Sequence, residues 1–213
     1  MKTDELVTLL ATGAEAVEPG ASSRRFATAL GWGAFGATLL MAIVLGVRPD
    51  IDAAAGLPMF WMKLVFPAAV AAASLVAASR LSRPGARLGR VPVALAAPLL
   101  AVWLLSAYVL LAAPPTERAA LVMGQTWQYC LFSVPLLSAP VFVAVLWAMK
   151  GLAPTRLALA GAAAGLLAGG IGALAYALHC PEVAAPFLGV WYVVGMLIPT
   201  MAGALLGPIV LRW

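Results

Sequence analysis

The residues best suited to chemistry lie in two short stretches. Cys130 and Cys180 are the only cysteines of the 213-residue chain, and its single histidine, His179, directly precedes Cys180. Thiolate and imidazole together suit soft or borderline ions such as copper or zinc. A nearby imidazolium would also favour the thiolate and speed its oxidation. Glu182 could be a further ligand or the carboxylate that orients His179.

Other interpretations of the same residues stay open. The two cysteines could form a structural disulfide, remain as two buried unpaired side chains, or act as a reactive or metal-binding pair. Glu182 could simply cap the segment that follows it. A single Cys-His pair is a weak metal motif, so the hypothesis depends more on where these residues lie than on their spacing.

Lys63 is unusual because it falls inside an apolar run. An ammonium group at the centre of a membrane span costs roughly 2.5–3.5 kcal/mol, and less near the ends. Its long stem could let the charge reach the membrane surface. Alternatively, Lys63 could pair with Glu182 or Glu117, or support the cysteine pair by steadying a thiolate.

The composition places these residues in a membrane protein. Hydrophobic residues make up 64% of the chain, charged residues 10%, and the mean hydropathy is +1.02. Soluble domains are about half apolar and a quarter charged. The chain is therefore predicted to be an all-α polytopic membrane protein, because helices satisfy their own backbone hydrogen bonds in lipid.

Six apolar runs are long enough to cross a bilayer, which takes roughly 20 residues. They lie near 26–47, 59–79, 92–113, 130–149, 157–178 and 187–211. Ten of the 13 basic residues fall before the first run, after the last, or in the second and fourth connections. Only Arg48 and Arg118 fall in the other connections. This asymmetry predicts that both termini are cytoplasmic, and it argues against direct nucleic-acid binding despite the net charge of +5.

The topology brings the cysteines to the outer face. Cys130 opens the fourth run and Cys180 follows the fifth, so they lie at the open end of one helical hairpin. The midpoint of the two positions falls in the 150–156 connection, which predicts nearly equal depths in the membrane. That arrangement permits the Cα separation of about 4.4–6.8 Å that a disulfide requires.

The N-terminal stretch 3–18 reads as a short amphipathic helix. Its apolar stripe consists of Leu6, Leu9, Leu10, Ala14 and Val17. So short a helix is marginal in water, which indicates that the stripe needs a partner. The helix could rest on the membrane, but its acidic polar face is untypical of surface-bound helices. The alternative is docking into a groove of another protein.

Several of these features together resemble the NrsF family of bacterial inner-membrane anti-sigma factors. The resemblance covers essentially the whole chain: the opening MKTDELVTLLA, six spans, Cys130, HCPE at 179–182, WYVVGMLIP at 191–199 and the ending GPIVLRW. It implies that a cytoplasmic N-terminal segment binds an extracytoplasmic-function sigma factor and keeps it from RNA polymerase. It also implies that two outer-face cysteines, matching Cys130 and Cys180, respond to heavy-metal or oxidative stress.

The resemblance therefore implies two parts, a sigma-factor-binding segment at 1–25 and a six-span sensor domain at 26–213. The contact residues would be Leu6, Leu9, Leu10 and Val17. Besides the sigma factor, the lipid bilayer is the expected partner. No cofactor is required, although copper or zinc could bind at the cysteine pair. The alternatives from other classes are a membrane thiol oxidoreductase, a small transporter, or a structural subunit of a membrane complex.

Overall fold

The computed structural model describes residues 3–12 and 20–212, and within these ranges the regular elements are helices, without strands. They are α1 (Thr3–Thr12), α2 (Ala21–Val44), α3 (Ile51–Ala55), α4 (Pro58–Leu81), α5 (Val91–Ala112), α6 (Pro115–Met123), α7 (Trp127–Lys150), α8 (Leu157–Ala177), α9 (Ala185–Phe187), a π-helical turn (Leu188–Tyr192) and α10 (Val193–Val210).

Within residues 3–12 and 20–212, six helical segments are long and apolar enough to cross a membrane, which confirms the predicted all-α, six-span class. These spans are α2, α4, α5, α7, α8 and the continuous run from α9 to α10. The first span begins at Ala21 rather than at residue 26, because Gly20 adopts φ +85° and turns the chain directly into the helix. Arg24 and Arg25 therefore lie in the first turns of α2.

The predicted short N-terminal helix is also present, as α1. Its apolar side chains Leu6 and Leu9 are 43% and 66% exposed. The rest of the predicted helix, including Ala14 and Val17, lies outside the described residues, as does the Leu10 side chain. α1 thus leaves the visible part of its stripe uncovered.

α8 forms the centre of the bundle because its small side chains let neighbouring helices approach closely. Its packing against α10 is a glycine seam, consisting of Gly161 and Gly165 on α8 with Gly203 and Gly207 on α10. A Cβ added to Gly161 would collide with the Gly203 carbonyl oxygen, and one on Gly165 with the Pro199 carbonyl oxygen. α4 and α7 cover the other sides of α8.

The two ends of the bundle are named here by the residues that lie at them. The cysteine end comprises the α2–α4, α5–α7 and α8–α9 connections. The terminal end comprises the start of α2, the end of α10 and the two remaining connections. Of the spans, α5 is the most peripheral, with only three buried residues, and hydrogen bonds fix it to the last span: Trp103 Nε1 donates to Gly189 O at 2.9 Å and Ser106 Oγ to Ala185 O at 2.9 Å.

Candidate functional site

The turn that carries the cysteine-histidine pair forms where α8 ends. The backbone N–H groups of His179 and Cys180 both donate to the Tyr176 carbonyl, at 3.0 and 2.9 Å. Pro181 follows, and it has no N–H with which to extend the helix. The chain therefore leaves α8 at Cys180 and runs across the cysteine end towards α9.

The structure brings Cys130 and Cys180 together in one buried cluster. Both are free cysteines with 0% exposure. They are close enough to interact electrostatically with each other and with Lys63. Tyr176 and Tyr192, whose rings lie 5.9 Å apart, interact electrostatically with both cysteines. Any reagent must therefore reach the thiols through an opening of this end of the bundle.

Lys63 lies beside the cysteine pair, although its side chain is fully buried in α4, with 0% exposure. Its Nζ donates to the Cys180 carbonyl oxygen at 2.5 Å and lies 5.8 Å from the Tyr192 ring centroid. The suggestion that its charge reaches the membrane surface, or pairs with Glu182 or Glu117, was wrong. Because the ammonium group is buried among the helices, it is stabilised by the Cys180 carbonyl and by the face of the Tyr192 ring.

Arg48 is a second cation at the same carbonyl, and sequence reasoning missed it. Its Nη1 lies 3.5 Å from the Cys180 oxygen, and its backbone N–H donates to Leu178 O at 3.2 Å. Nε and Nη2 bind the Asp50 carboxylate at 2.8 and 2.6 Å. This pairing raises the pKa of Arg48 and lowers the pKa of Asp50. The available signal was the Arg-Pro-Asp sequence in a connection otherwise poor in basic residues.

His179 points towards the first span instead of towards a metal-binding group. Its Nδ1 lies 2.9 Å from the Gly46 carbonyl oxygen. Because a carbonyl only accepts hydrogen bonds, Nδ1 carries the proton and Nε2 is the remaining ring nitrogen. Gly46 presents this carbonyl from a backbone with φ +76°, a conformation that favours glycine.

Glu182 fixes the loop that precedes α7. Its Oε1 accepts the backbone N–H of Gln125 at 2.7 Å. The carboxylate also packs on Gly124, where an added Cβ would lie 2.9 Å from Oε1. Gly124 has φ +54°, so both its backbone and the space around it favour glycine.

The predicted ligand set of Cys130, His179, Cys180 and Glu182 is not assembled in this structure. Among the residues that the structure describes, no three or more His, Cys, Asp or Glu side chains form a group that could hold a metal ion. His179 and Glu182 are instead engaged with backbone groups of Gly46 and Gln125. Binding of copper or zinc at the cysteine pair stays a prediction.

Two further buried polar groups lie near the thiols. These are the Tyr192 hydroxyl, which interacts with Cys180, and Thr126 Oγ1, which interacts with Tyr176. Tyr192 ends the π-helical turn, and such turns are frequent at functional sites. The adjacent Trp191 stacks on Trp127 at 4.7 Å and donates through Nε1 to Val122 O at 2.9 Å.

The HCPE segment therefore joins three spans at the cysteine end. His179 binds the exit of α2, the Cys180 carbonyl binds α4 through Lys63, and Glu182 binds the loop that leads into α7. The chain on either side of Cys180 is thus tied to three spans by hydrogen bonds.

Comparison with known proteins adds a family and two close relatives. The family model described as "Negative regulator of sigma F" (NrsF) matches residues 10–213. The "Probable anti-sigma-F factor NrsF" of Azospira oryzae is 55% identical over 213 residues, covering 100% of both chains. The "Anti-sigma-F factor NrsF" of Caulobacter vibrioides is 37% identical over 214 residues, again covering 100% of both. No solved structure matches the chain.

Proposed function

Because the chain belongs to the NrsF family of negative regulators of sigma F, as its sequence motifs predicted, we propose that it is a membrane-bound anti-sigma factor. In this proposal it sequesters an extracytoplasmic-function sigma factor and releases it when the cysteine pair reacts with an oxidant or a heavy metal. It acts on transcription through that partner, without contacting nucleic acid, and its role is regulatory rather than enzymatic.

The exposed stripe of α1 supports the assignment of residues 1–25 as the sigma-binding segment. Leu6 and Leu9 remain largely exposed, and the adjoining first turn carries Asp4 and Glu5. Covering such leucines contributes about 1.5–3 kcal/mol for each fully buried side chain. In the proposal, Leu10 and Val17 extend the same contact surface.

The observation that carries the sensing half is the presence of two free, buried thiols, close enough to interact electrostatically, at the bundle end opposite the start of α2. An oxidant such as diamide would take two electrons and two protons from Cys130 and Cys180, leaving a disulfide and reduced diamide. A soft metal ion such as copper or zinc would instead displace the two thiol protons and be held by the two sulfurs. Both reactions create a link between α7 and the end of α8.

Charge distribution supports a bacterial inner-membrane location with both termini in the cytoplasm. Within residues 20–212, most basic residues lie at the terminal end, whereas the acidic residues lie at the cysteine end: Asp50, Asp52, Glu117 and Glu182. Positive charge is retained on the cytoplasmic side of membranes. The cysteine end would then face the oxidising outer compartment, where a disulfide can persist.

The test of sequestration is binding of the purified host sigma factor to the full-length protein in lipid nanodiscs. Leu6→Glu combined with Leu9→Glu should weaken binding on the order of tenfold or more, because both side chains would lose apolar contact. Thr8→Glu combined with Ala11→Glu is the matched control, since it adds the same two charges on the opposite side of α1. Equal binding by all variants would contradict the assignment of α1.

The test of sensing is release of the bound sigma factor by diamide. Cys130→Ser and Cys180→Ser should each prevent release while leaving unstimulated binding intact. If the double variant still releases the sigma factor, the cysteines are not the sensor. A thiol oxidoreductase would instead pass electrons through the pair repeatedly, but the chain has no second pair of cysteines for such a relay.

A further inference from the structure

The first span contacts the cysteine site directly. The Leu178–Cys180 turn is bonded to the exit of α2 by His179 Nδ1 to Gly46 O at 2.9 Å and by Arg48 N to Leu178 O at 3.2 Å. Arg48 Nη1 adds a longer contact of 3.5 Å to Cys180 O. A movement of this turn therefore pulls on the end of α2.

Along its length, α2 packs on the helix that carries Cys130. A Cβ added to Gly33 would lie 2.8 Å from Val141 Cα, and one on Gly36 would lie 3.1 Å from Pro140 Cβ. α2 is therefore in contact with both cysteine-bearing elements, α7 through backbone-level packing and the α8 turn through hydrogen bonds.

At the terminal end, Arg25 is one of the side chains that hold α2, beside the contact between Ser22 and Arg83. Arg25 Nη2 donates to the Trp147 carbonyl at 3.1 Å, and the guanidinium lies 4.7 Å from the Trp147 ring centroid. The same guanidinium presses against Gly151, so a Cβ there would collide with it. Arg25 is five residues from Gly20, where the chain arrives from the N-terminal segment.

The shape of α2 suits it to carry a displacement. It runs without proline for 24 residues, about 36 Å at 1.5 Å per residue. Four other spans contain internal prolines, which kink helices: Pro67, Pro98, Pro135, Pro140, Pro199 and Pro208. The remaining proline-free span, α8, is fixed by the glycine seam.

We propose that α2 is the element that relays the state of the cysteine pair to the N-terminal segment. His179 is the positioning residue at its upper anchor, and the contact between Arg25 and Trp147 is its lower anchor. Linking Cys130 to Cys180 moves the His179 turn, shifts α2 along α7, and loosens the Arg25 contact that holds the N-terminal segment in its binding arrangement. This inference rests on the proposed function and adds the helix through which the state of the cysteines reaches the N-terminal segment.

The lower anchor is tested without any inducer and in a background lacking both cysteines (Cys130→Ser, Cys180→Ser). Arg25→Ala in the full-length nanodisc protein should raise unstimulated release of the sigma factor roughly fivefold or more. Arg25→Lys, which keeps a donor for the Trp147 carbonyl, should restore most of the binding. Unchanged release with Arg25→Ala would overturn the lower anchor, and because no cysteine is present the result is independent of sensing.

The upper anchor is tested with diamide in the protein that retains both cysteines. His179→Ala should let the thiols oxidise, as counted by thiol labelling, but lose most of the release. His179→Asn places an amide N–H near the position of Nδ1 and should recover it. If His179→Ala oxidises and releases like the wild type, the relay is overturned. If neither His179 variant oxidises, His179 acts on the thiols rather than through α2, which also overturns it.

Discussion

The middle and the end of α8 are held in two different ways. In the middle, the glycine seam brings backbone against backbone, and the space left would not admit a single added methyl group. At the end, the His179–Cys180 turn is held by hydrogen bonds from side chains of other elements, including Lys63 and Arg48. Closely packed backbones resist displacement, because any shift brings atoms into collision. A few hydrogen bonds can be replaced by others at a small cost in free energy. The seam thus builds the bundle, and the turn is the part that can respond.

The largest effect should come from breaking the seam. Gly165→Leu would drive a side chain into the Pro199 carbonyl, and because backbone cannot move aside the cost should be at least about 3 kcal/mol, the upper end for overpacked cores. Thermal unfolding in detergent, followed by size-exclusion chromatography, would measure it. Gly31→Leu is the matched control, since nothing lies within 4 Å of a Cβ at Gly31. Equal stability of the two variants would show that the seam is not what holds α8.

Lys63→Met should leave overall stability nearly unchanged but loosen the turn. Removing the buried charge removes its desolvation cost, which stabilises the fold, but the Cys180 carbonyl loses its closest donor, which destabilises it. Because these effects oppose each other, the free energy of unfolding should change by no more than about 1 kcal/mol. Local opening should become more frequent. In a Cys130→Ser background, labelling of Cys180 by a membrane-permeant maleimide should then be several-fold faster. An unchanged labelling rate would mean that Lys63 does not restrain the turn.

Two substitutions at Glu182 distinguish a structural hydrogen bond from a role as a metal ligand. Glu182→Gln keeps an oxygen that can accept the Gln125 N–H, so it should stay close to the wild type, whereas Glu182→Ala should cost about 0.5–1.5 kcal/mol, the net value of one hydrogen bond at an exposed amide. Thermal unfolding would distinguish the two variants. The opposite pattern, in which Gln is as damaging as Ala and only in the presence of zinc, would restore Glu182 as a ligand.

The sequence predicts the spans better than it predicts the turn, for a physical reason. Apolar runs of about 20 residues are patterns within one segment, so the six spans could be predicted. The neighbouring positions of Cys130 and Cys180 followed from the symmetry of a hairpin. The partners of His179, Lys63 and Glu182, however, are backbone groups of distant loops. Every residue has a backbone carbonyl, so the sequence does not indicate which carbonyl or amide a side chain will bind. For His179, Lys63 and Glu182 we therefore predicted metal ligation or carboxylate pairing, whereas the structure shows hydrogen bonds to backbone groups.

The smallest effect should come from the exposed ion pair at the rim of the turn. Arg48 lowers the pKa of Asp50, so the contribution of the pair is fully present above the ordinary carboxyl pKa of about 3.9 and is lost only as pH falls through the lower folded value. The difference in melting temperature between the wild type and Asp50→Asn should therefore be small and constant from pH 6 to pH 8, and it should shrink only in acid. Asp52→Asn, at an exposed neighbouring position, is the control. A difference that changes near neutral pH would contradict the assignment of this contribution to the Asp50 carboxylate.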